Sequence, residues 1–266
     1  MTIMTMPRLG LGTWELEGDQ ATRSVQTGLD MGYRHVDTAQ MYQNEAQVGR
    51  GIAASGVDRA SIWLTTKLAQ DNLEPDDVIS STQTSLDRLG VDYLDLLLIH
   101  WPTSIDTVEQ TLAAMQQLKE RDLVRHLGVS NFTAEQVKRA AAAAEITANQ
   151  VEYHALLDQS AVIEAVRAVD AIVTAYSPLA RGRLLRNPVI TNIAGARDAS
   201  PAQVALRWLL DQEGVAAIPK ATSEEHLRAN LDVLSMPALQ GEDTAAIDQL
   251  PKDQRVIDPP FAPDWD

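Results

Sequence analysis

A short β-branched run, a turn and an amphipathic helix follow one another repeatedly along this 266-residue chain, and that rhythm limits its folding more than any other feature. Two parallel strands cannot be joined by a tight turn; they need a crossover, usually a helix. Strict strand-then-helix alternation therefore predicts a parallel sheet covered by helices. Eight candidate strands can be read, at 9–12, 34–37, 62–67, 93–100, 127–130, 149–152, 172–176 and 215–219.

The intervening segments carry helix punctuation. Ala21, Val25 and Leu29 share one face ahead of Gly32 as a C-terminal cap, and Pro75 and Gly90 bracket another helix. Thr107 with Gln110, Thr133 with Gln136 and Thr222 with Glu225 have capping-box spacing, and Ser200-Pro201 suits a cap followed by a first helical residue. In the helix that starts at Thr222, Leu227, Leu231 and Leu234 face inward. Eight unbroken units predict one α/β domain over residues 1–266, closed as a (β/α)8 TIM barrel, with a C-terminal tail from about 250. An open doubly wound sheet is the alternative; it would normally carry G-x-G-x-x-G after its first strand, whereas LGLGTW holds only G-x-G.

Composition narrows the functions available. A net charge of −15 argues against nucleic-acid or anionic-membrane partners, which demand a basic face. No apolar run reaches the roughly 20 residues of a membrane span, and the N-terminus has no signal-peptide pattern, so a cytoplasmic protein is expected. With no cysteine, thiolate nucleophiles, disulfides and Cys-ligated zinc are excluded, and no His or carboxylate cluster has metal-ligand spacing. A small-molecule partner and a monomer are expected.

Barrel enzymes work where the C-terminal ends of the strands emerge. There the sequence puts Asp37, Lys67, His100, Ser130 with Asn131, Gln150, Tyr176 and Lys220, one strand after another. Each alone has a structural explanation, but as a set they describe a chemistry. A phenol is a weak acid with a pKa of about 10, and a neighbouring ammonium stabilises its phenolate and lowers that value. Tyr42, in the loop after Asp37, supplies the phenol, Lys67 the ammonium and Asp37 its counter-ion. His100 can donate a hydrogen bond to a carbonyl oxygen and stabilise the alkoxide formed when hydride arrives.

The segments HVDTAQMYQNE, TTKL, LLIHWP, GVSNF, NQVEYH, AYSPLARG and IPKATS, in this order, resemble the aldo-keto reductases, from about Arg8 to the terminal FAPDWD. The ending and short length are most similar to bacterial 2,5-diketo-D-gluconate reductases of the B type. The resemblance implies carbonyl reduction with Tyr42 as general acid and Asp37, Lys67 and His100 completing a tetrad. It also implies an extended NADPH without a Rossmann fold. Tyr176 would stack on the nicotinamide, Ser130, Asn131 and Gln150 would bind its carboxamide, and Thr13 would belong to the same site. Ser177, Pro178, Leu179 and Arg181 would follow the pyrophosphate, and Lys220, Ala221, Thr222 and the last helix's N-terminus would receive the 2′-phosphate.

Two positions depart from the family pattern. His226 stands where many members have Arg, and Ala229 where many have Glu, while Asn230 is retained. These changes narrow the expected margin of NADPH over NADH. Trp14 and Trp101, with His100, resemble the family's substrate-pocket walls, and Phe261 and Trp265 can close one side or strap the barrel. Short loops at 101–106 and 180–185 predict a shallow pocket for small aldehydes such as methylglyoxal, dicarbonyls or keto-sugars. Two other functions fit a barrel of this kind: a nucleotide-holding sensor subunit, disfavoured by the intact tetrad, and a Schiff-base aldolase using Lys67 or Lys220, disfavoured by Asp37.

Overall fold

The structure is a computed structural model, which describes residues 6–102 and 107–266. Eight parallel strands form one sheet in chain order: β1 (Leu11–Gly12), β2 (His35–Asp37), β3 (Trp63–Leu68), β4 (Leu94–Ile99), β5 (Val124–Ser130), β6 (Ala148–Glu152), β7 (Ile172–Tyr176) and β8 (Val215–Ala217). The last strand returns to the first. Leu9 bridges Ala217 in parallel, the Ala217 N–H donates to the Arg8 carbonyl at 2.8 Å, and the Gly12 N–H donates to the Pro219 carbonyl at 3.1 Å. The sheet is therefore the expected (β/α)8 barrel rather than an open one. The seam needs a glycine: a Cβ on Gly12 would stand 2.7 Å from the Ile218 carbonyl oxygen.

Alternation along each strand sorts side chains into two layers. Val36, Leu64, Leu97, Val129, Val173 and Val215 face outward into the core shared with the helices. Trp63, Leu96, Leu98, Ala148 and Ala216 face inward and pack with Met6 inside the barrel. Burying one such Leu contributes roughly 1.5–3 kcal/mol. Following the inward positions up β2, β3, β6 and β7 leads to Asp37, Lys67, Gln150 and Tyr176, all at one rim.

The helices of the outer layer are α1 (Gly18–Met31), α2 (Glu45–Ser55), α3 (Pro75–Leu89), α4 (Val108–Glu120), α5 (Ala134–Ala143), α6 (Ser160–Arg167), α7 (Pro188–Ala196), α8 (Pro201–Asp211), α9 (Glu224–Asp232) and α10 (Gly241–Asp248). Gly32 and Gly90 adopt the left-handed conformation and cap α1 and α3, as the sequence predicts. Thr133 and Ser200 form complete capping boxes with Gln136 and Gln203.

Other details differ from the sequence reading. The cap of α9 is Ser223, whose hydroxyl accepts the His226 N–H, so Thr222 stands one residue outside the expected box. Helix α7 has no counterpart in the alternating pattern, although Asn187, accepting from two amides ahead of Pro188, gives it a regular start. Strand β5 begins three residues earlier than expected, at Val124. Among the described residues no helix is long and apolar enough to cross a membrane. Thr103, Ser104, Ile105 and Asp106 of the short rim loop lie outside the described residues.

Candidate active site

The strand ends bring Asp37, Lys67 and Tyr42 into one hydrogen-bonded group. The Lys67 ammonium, fully buried, donates to Asp37 Oδ1 at 2.5 Å, to the Thr38 carbonyl at 2.8 Å and to the Tyr42 hydroxyl at 3.2 Å. All three of its N–H groups therefore have acceptors. The Tyr42 oxygen accepts from Lys67, leaving its own O–H available to the cleft that Tyr42 lines. Tyr42 itself sits in a single 3-10 turn, Gln40–Tyr42, directly after β2.

Electrostatics in this group differ from the simple expectation that lysine lowers the phenol pKa. Burial pushes the Tyr42 phenol upward; Lys67 pulls it back, Asp37 opposes Lys67, and the net shift is upward. Burial alone would lower the Lys67 ammonium, but Asp37 and Tyr42 outweigh it and raise the group. The consequence is a protonated phenol beside a protonated amine at neutral pH.

His100 follows β4, its ring 5.7 Å from the Tyr42 ring and at 76° to it. Burial, and then the Lys67 charge, hold its imidazole well below the usual histidine range, so the ring is neutral. Its Nδ1 is buried with no hydrogen-bond partner. A buried N–H without an acceptor is the costlier orphan, which favours the tautomer that carries its proton on Nε2.

Behind these residues runs a second chain of bonds. The Ser130 hydroxyl donates to the Gln150 carbonyl at 2.8 Å, Asn131 Nδ2 donates to the His100 carbonyl at 2.9 Å, and the Tyr176 hydroxyl donates to Asn131 Oδ1 at 2.7 Å. Asn131 holds a left-handed backbone, φ 62°, as β5 turns outward. Gln150 Nε2 donates to Asp37 Oδ2 at 2.7 Å. Thr13 fixes the other side of β2, donating from its hydroxyl to the Asp37 carbonyl at 2.9 Å. Ser130 and Gln150 are buried and do not line the cleft, whereas Asn131 and Tyr176 do.

The cleft has a volume of about 630 Å³. Tyr42, His100 and Trp101 line it together with Ser177, Pro178, Leu179, Arg181 and Lys220. Ala221, Thr222, His226 and Asn230 are outside this lining. Thr222 and His226 are exposed near the start of α9, while Asn230 is buried.

Comparison with known proteins fits this geometry. Residues 8–252 match the model of the aldo/keto reductase family. The chain belongs to that family. It is 42% identical to methylglyoxal reductase DkgB of Salmonella typhi, the match covering 99% of this chain and all of the relative. It superposes with a TM-score of 0.92, at 34% identity, on MGS-M4, an aldo-keto reductase from a deep-sea metagenome library, covering 96% of this chain and 95% of that one. A Bombyx mori aldo-keto reductase in complex with NADP matches at 35% identity and TM-score 0.87, covering 96% and 92%.

Several residues of this aldo/keto reductase's cleft escape a reading of strand ends. Glu15 has φ 60° and pairs with Lys220 at 3.4 Å, and the Arg181 guanidinium lies 4.6 Å over the Trp14 ring, so the loop after β1 reaches across the cleft to both cations. Asn44 accepts from the Thr38 hydroxyl and donates to the Thr13 and Leu16 carbonyls, fixing the loop that carries Tyr42. Its place in the YQNE segment is the available signal. Ile257 lines the cleft from the tail, for which no local pattern exists. Phe261 and Trp265 pack edge-on against Trp101, with centroids 5.4 and 6.2 Å away, so the tail both straps the barrel and backs the pocket.

Proposed function

We propose that this family member is an NADPH-dependent reductase of small aldehydes, dicarbonyls or keto-sugars, with Tyr42 giving the proton to the carbonyl oxygen. The observation that carries the reading is the hydrogen-bonded group in which Tyr42 accepts from a Lys67 anchored on Asp37, beside a neutral His100 facing the same cleft. When bound, the reduced nicotinamide supplies the hydride to the carbonyl carbon.

The protein's own residues divide the remaining work. His100 Nε2–H donates to the carbonyl oxygen and orients it, Tyr42 releases its proton to that oxygen, and Lys67 stabilises the phenolate left behind. Asp37 keeps Lys67 charged and in place. The raised Lys67 also disfavours a Schiff-base reaction, which needs the neutral amine. Trp14 and Trp101 provide apolar walls for the substrate.

The cleft suits an extended dinucleotide. Its lining joins Tyr42 to two cations, Arg181 and Lys220, and Lys220 precedes the Ser223 cap of α9 by three residues. In this reading Tyr176 and Asn131 would hold the nicotinamide end, with Ser130 and Gln150 behind them, and Thr13 would support that end. Ser177, Pro178, Leu179 and Arg181 would follow the pyrophosphate; Lys220, Ala221 and Thr222 would hold the 2′-phosphate, and His226 and Asn230 the adenosine. The name of the DkgB relative supports methylglyoxal as a substrate, and the Bombyx mori complex supports NADP. A cytoplasmic monomer belongs to the same proposal; its acidic charge of −15 favours dispersal.

The test is Tyr42→Phe, assayed with NADPH and methylglyoxal. Loss of a general acid should lower kcat by about 100-fold or more, with the NADPH Kd held within about two-fold. Retention of more than a few per cent of the wild-type rate would reject Tyr42 as the donor.

A further inference from the structure

Glu152 ends β6 fully buried, and no step above uses it. A carboxylate withdrawn from water must find donors or a countercharge. The Val256 N–H donates to Oε1 at 2.7 Å and the Ile257 N–H to Oε2 at 2.8 Å, while His154 Nε2 lies 2.8 Å from Oε1. Two of these three partners are consecutive backbone amides of the C-terminal segment, and the Arg255 guanidinium of the same segment also feels the Glu152 charge.

Before this point the segment runs along residues 156–158, through Asp158 N–H to the Lys252 carbonyl and Gln254 N–H to the Leu156 carbonyl. After it, Ile257 enters the cleft wall, Arg255 stacks on Trp265 at 3.7 Å, and Phe261 and Trp265 meet Trp101. Glu152 thus fixes the backbone where the segment passes from strapping the barrel to walling the site. Because it grips main-chain N–H groups, the grip is independent of the side chains that face the substrate.

We propose that Glu152 is a positioning residue for carbonyl binding: it seats the C-terminal segment so that Ile257 and the Trp101–Phe261–Trp265 cluster form a fixed wall beside Tyr42 and His100. The proposal rests on the reductase reading of the cleft.

Glu152→Gln keeps the shape of the side chain but replaces one acceptor with an NH2 group that confronts a backbone donor. Val256→Pro removes one donor from the other side and leaves the strand untouched. In the full-length protein, Glu152→Gln should speed amide exchange at Val256 and Ile257, and Val256→Pro at Ile257, by about ten-fold or more. Both should raise KM for methylglyoxal by about ten-fold while kcat and the NADPH Kd stay within about two-fold.

Unchanged exchange overturns the proposal, as does faster exchange with unchanged KM. A joint loss of kcat and NADPH affinity also overturns it, because it indicates a merely structural role. Should Glu152→Gln fail to fold, Val256→Pro decides. Wild-type protein that turns over neither methylglyoxal nor a simple aldehyde nor a keto-sugar with NADPH would instead reject the reductase reading, while exchange, measured without substrate, would still report whether Glu152 holds the segment.

Discussion

Asp37 and Gln150 lie 113 positions apart and on opposite sides of the barrel, yet Gln150 Nε2 donates to Asp37 Oδ2 at 2.7 Å while Lys67 holds Oδ1. Both carboxylate oxygens of a buried aspartate are satisfied by different strands. This cross-barrel link sets the rotamer of Asp37, and through it the place of the Lys67 ammonium under Tyr42.

Removing that link should weaken the fold before it affects binding. Gln150→Leu leaves a buried carboxylate oxygen without its donor, a change expected to cost about 1–3 kcal/mol. Urea unfolding measures it, and a midpoint equal to wild type would show that water or another donor replaces the amide.

Lys67→Met should be more damaging, because Asp37 would then keep its charge with no cation beside it. Breaking a buried pair from one side costs roughly 3–5 kcal/mol. The double variant Asp37→Asn with Lys67→Met should recover part of that loss, since it removes the orphaned charge. A double variant less stable than Lys67→Met would reject this account.

The pH dependence follows from two opposite shifts. Tyr42 acts protonated, and burial raises its pKa above the ordinary 10.0, so reduction stays flat through neutral pH and declines only above that value. His100 acts neutral, and burial with Lys67 lowers its pKa well below 6.5, so any acid limb lies well below 6.5. Profiles of kcat for methylglyoxal check both limbs. An inflection between about pH 7 and 9 would contradict the Tyr42 assignment.

Lys220 already has a partner in Glu15, at 3.4 Å, but both side chains are substantially exposed, so that pair is worth only about 0–1 kcal/mol. A nucleotide phosphate can displace it. Lys220→Ala should reduce the ratio of kcat/KM for NADPH over NADH by about ten-fold or more. An unchanged ratio would put the 2′-phosphate elsewhere.

Strand parity is a local property, and the sequence carries it in full. Successive side chains of a strand alternate between faces, so the runs around Asp37, Lys67, His100 and Tyr176 announce both their strands and the common rim. Eight repeats without a break favour closure over an open sheet, and the contacts of Leu9 and Gly12 with the last strand's segment settle it. Capping chemistry at Thr133 and Ser200 is local in the same sense and is read correctly. The Ser223 cap is missed because Thr222 and Ser223 stand side by side and only the folded backbone selects between them, and helix α7 because an extra helix falls outside a strict strand-then-helix alternation.

What sequence alone cannot supply is contact between segments that share a rim but no local pattern. The bond from Gln150 to Asp37 depends on how the strands stagger around the closed barrel, and the pairing of Glu15 with Lys220 on a loop crossing the cleft. Burial is likewise collective: sequence identifies a lysine able to lower the Tyr42 pKa, but the enclosing structure makes desolvation the larger effect and reverses the net shift. Glu152 shows the same division. Its position at a strand end is written in the chain, but its two tail amides arrive from about a hundred residues away, brought there by the docking of the C-terminal segment on the barrel.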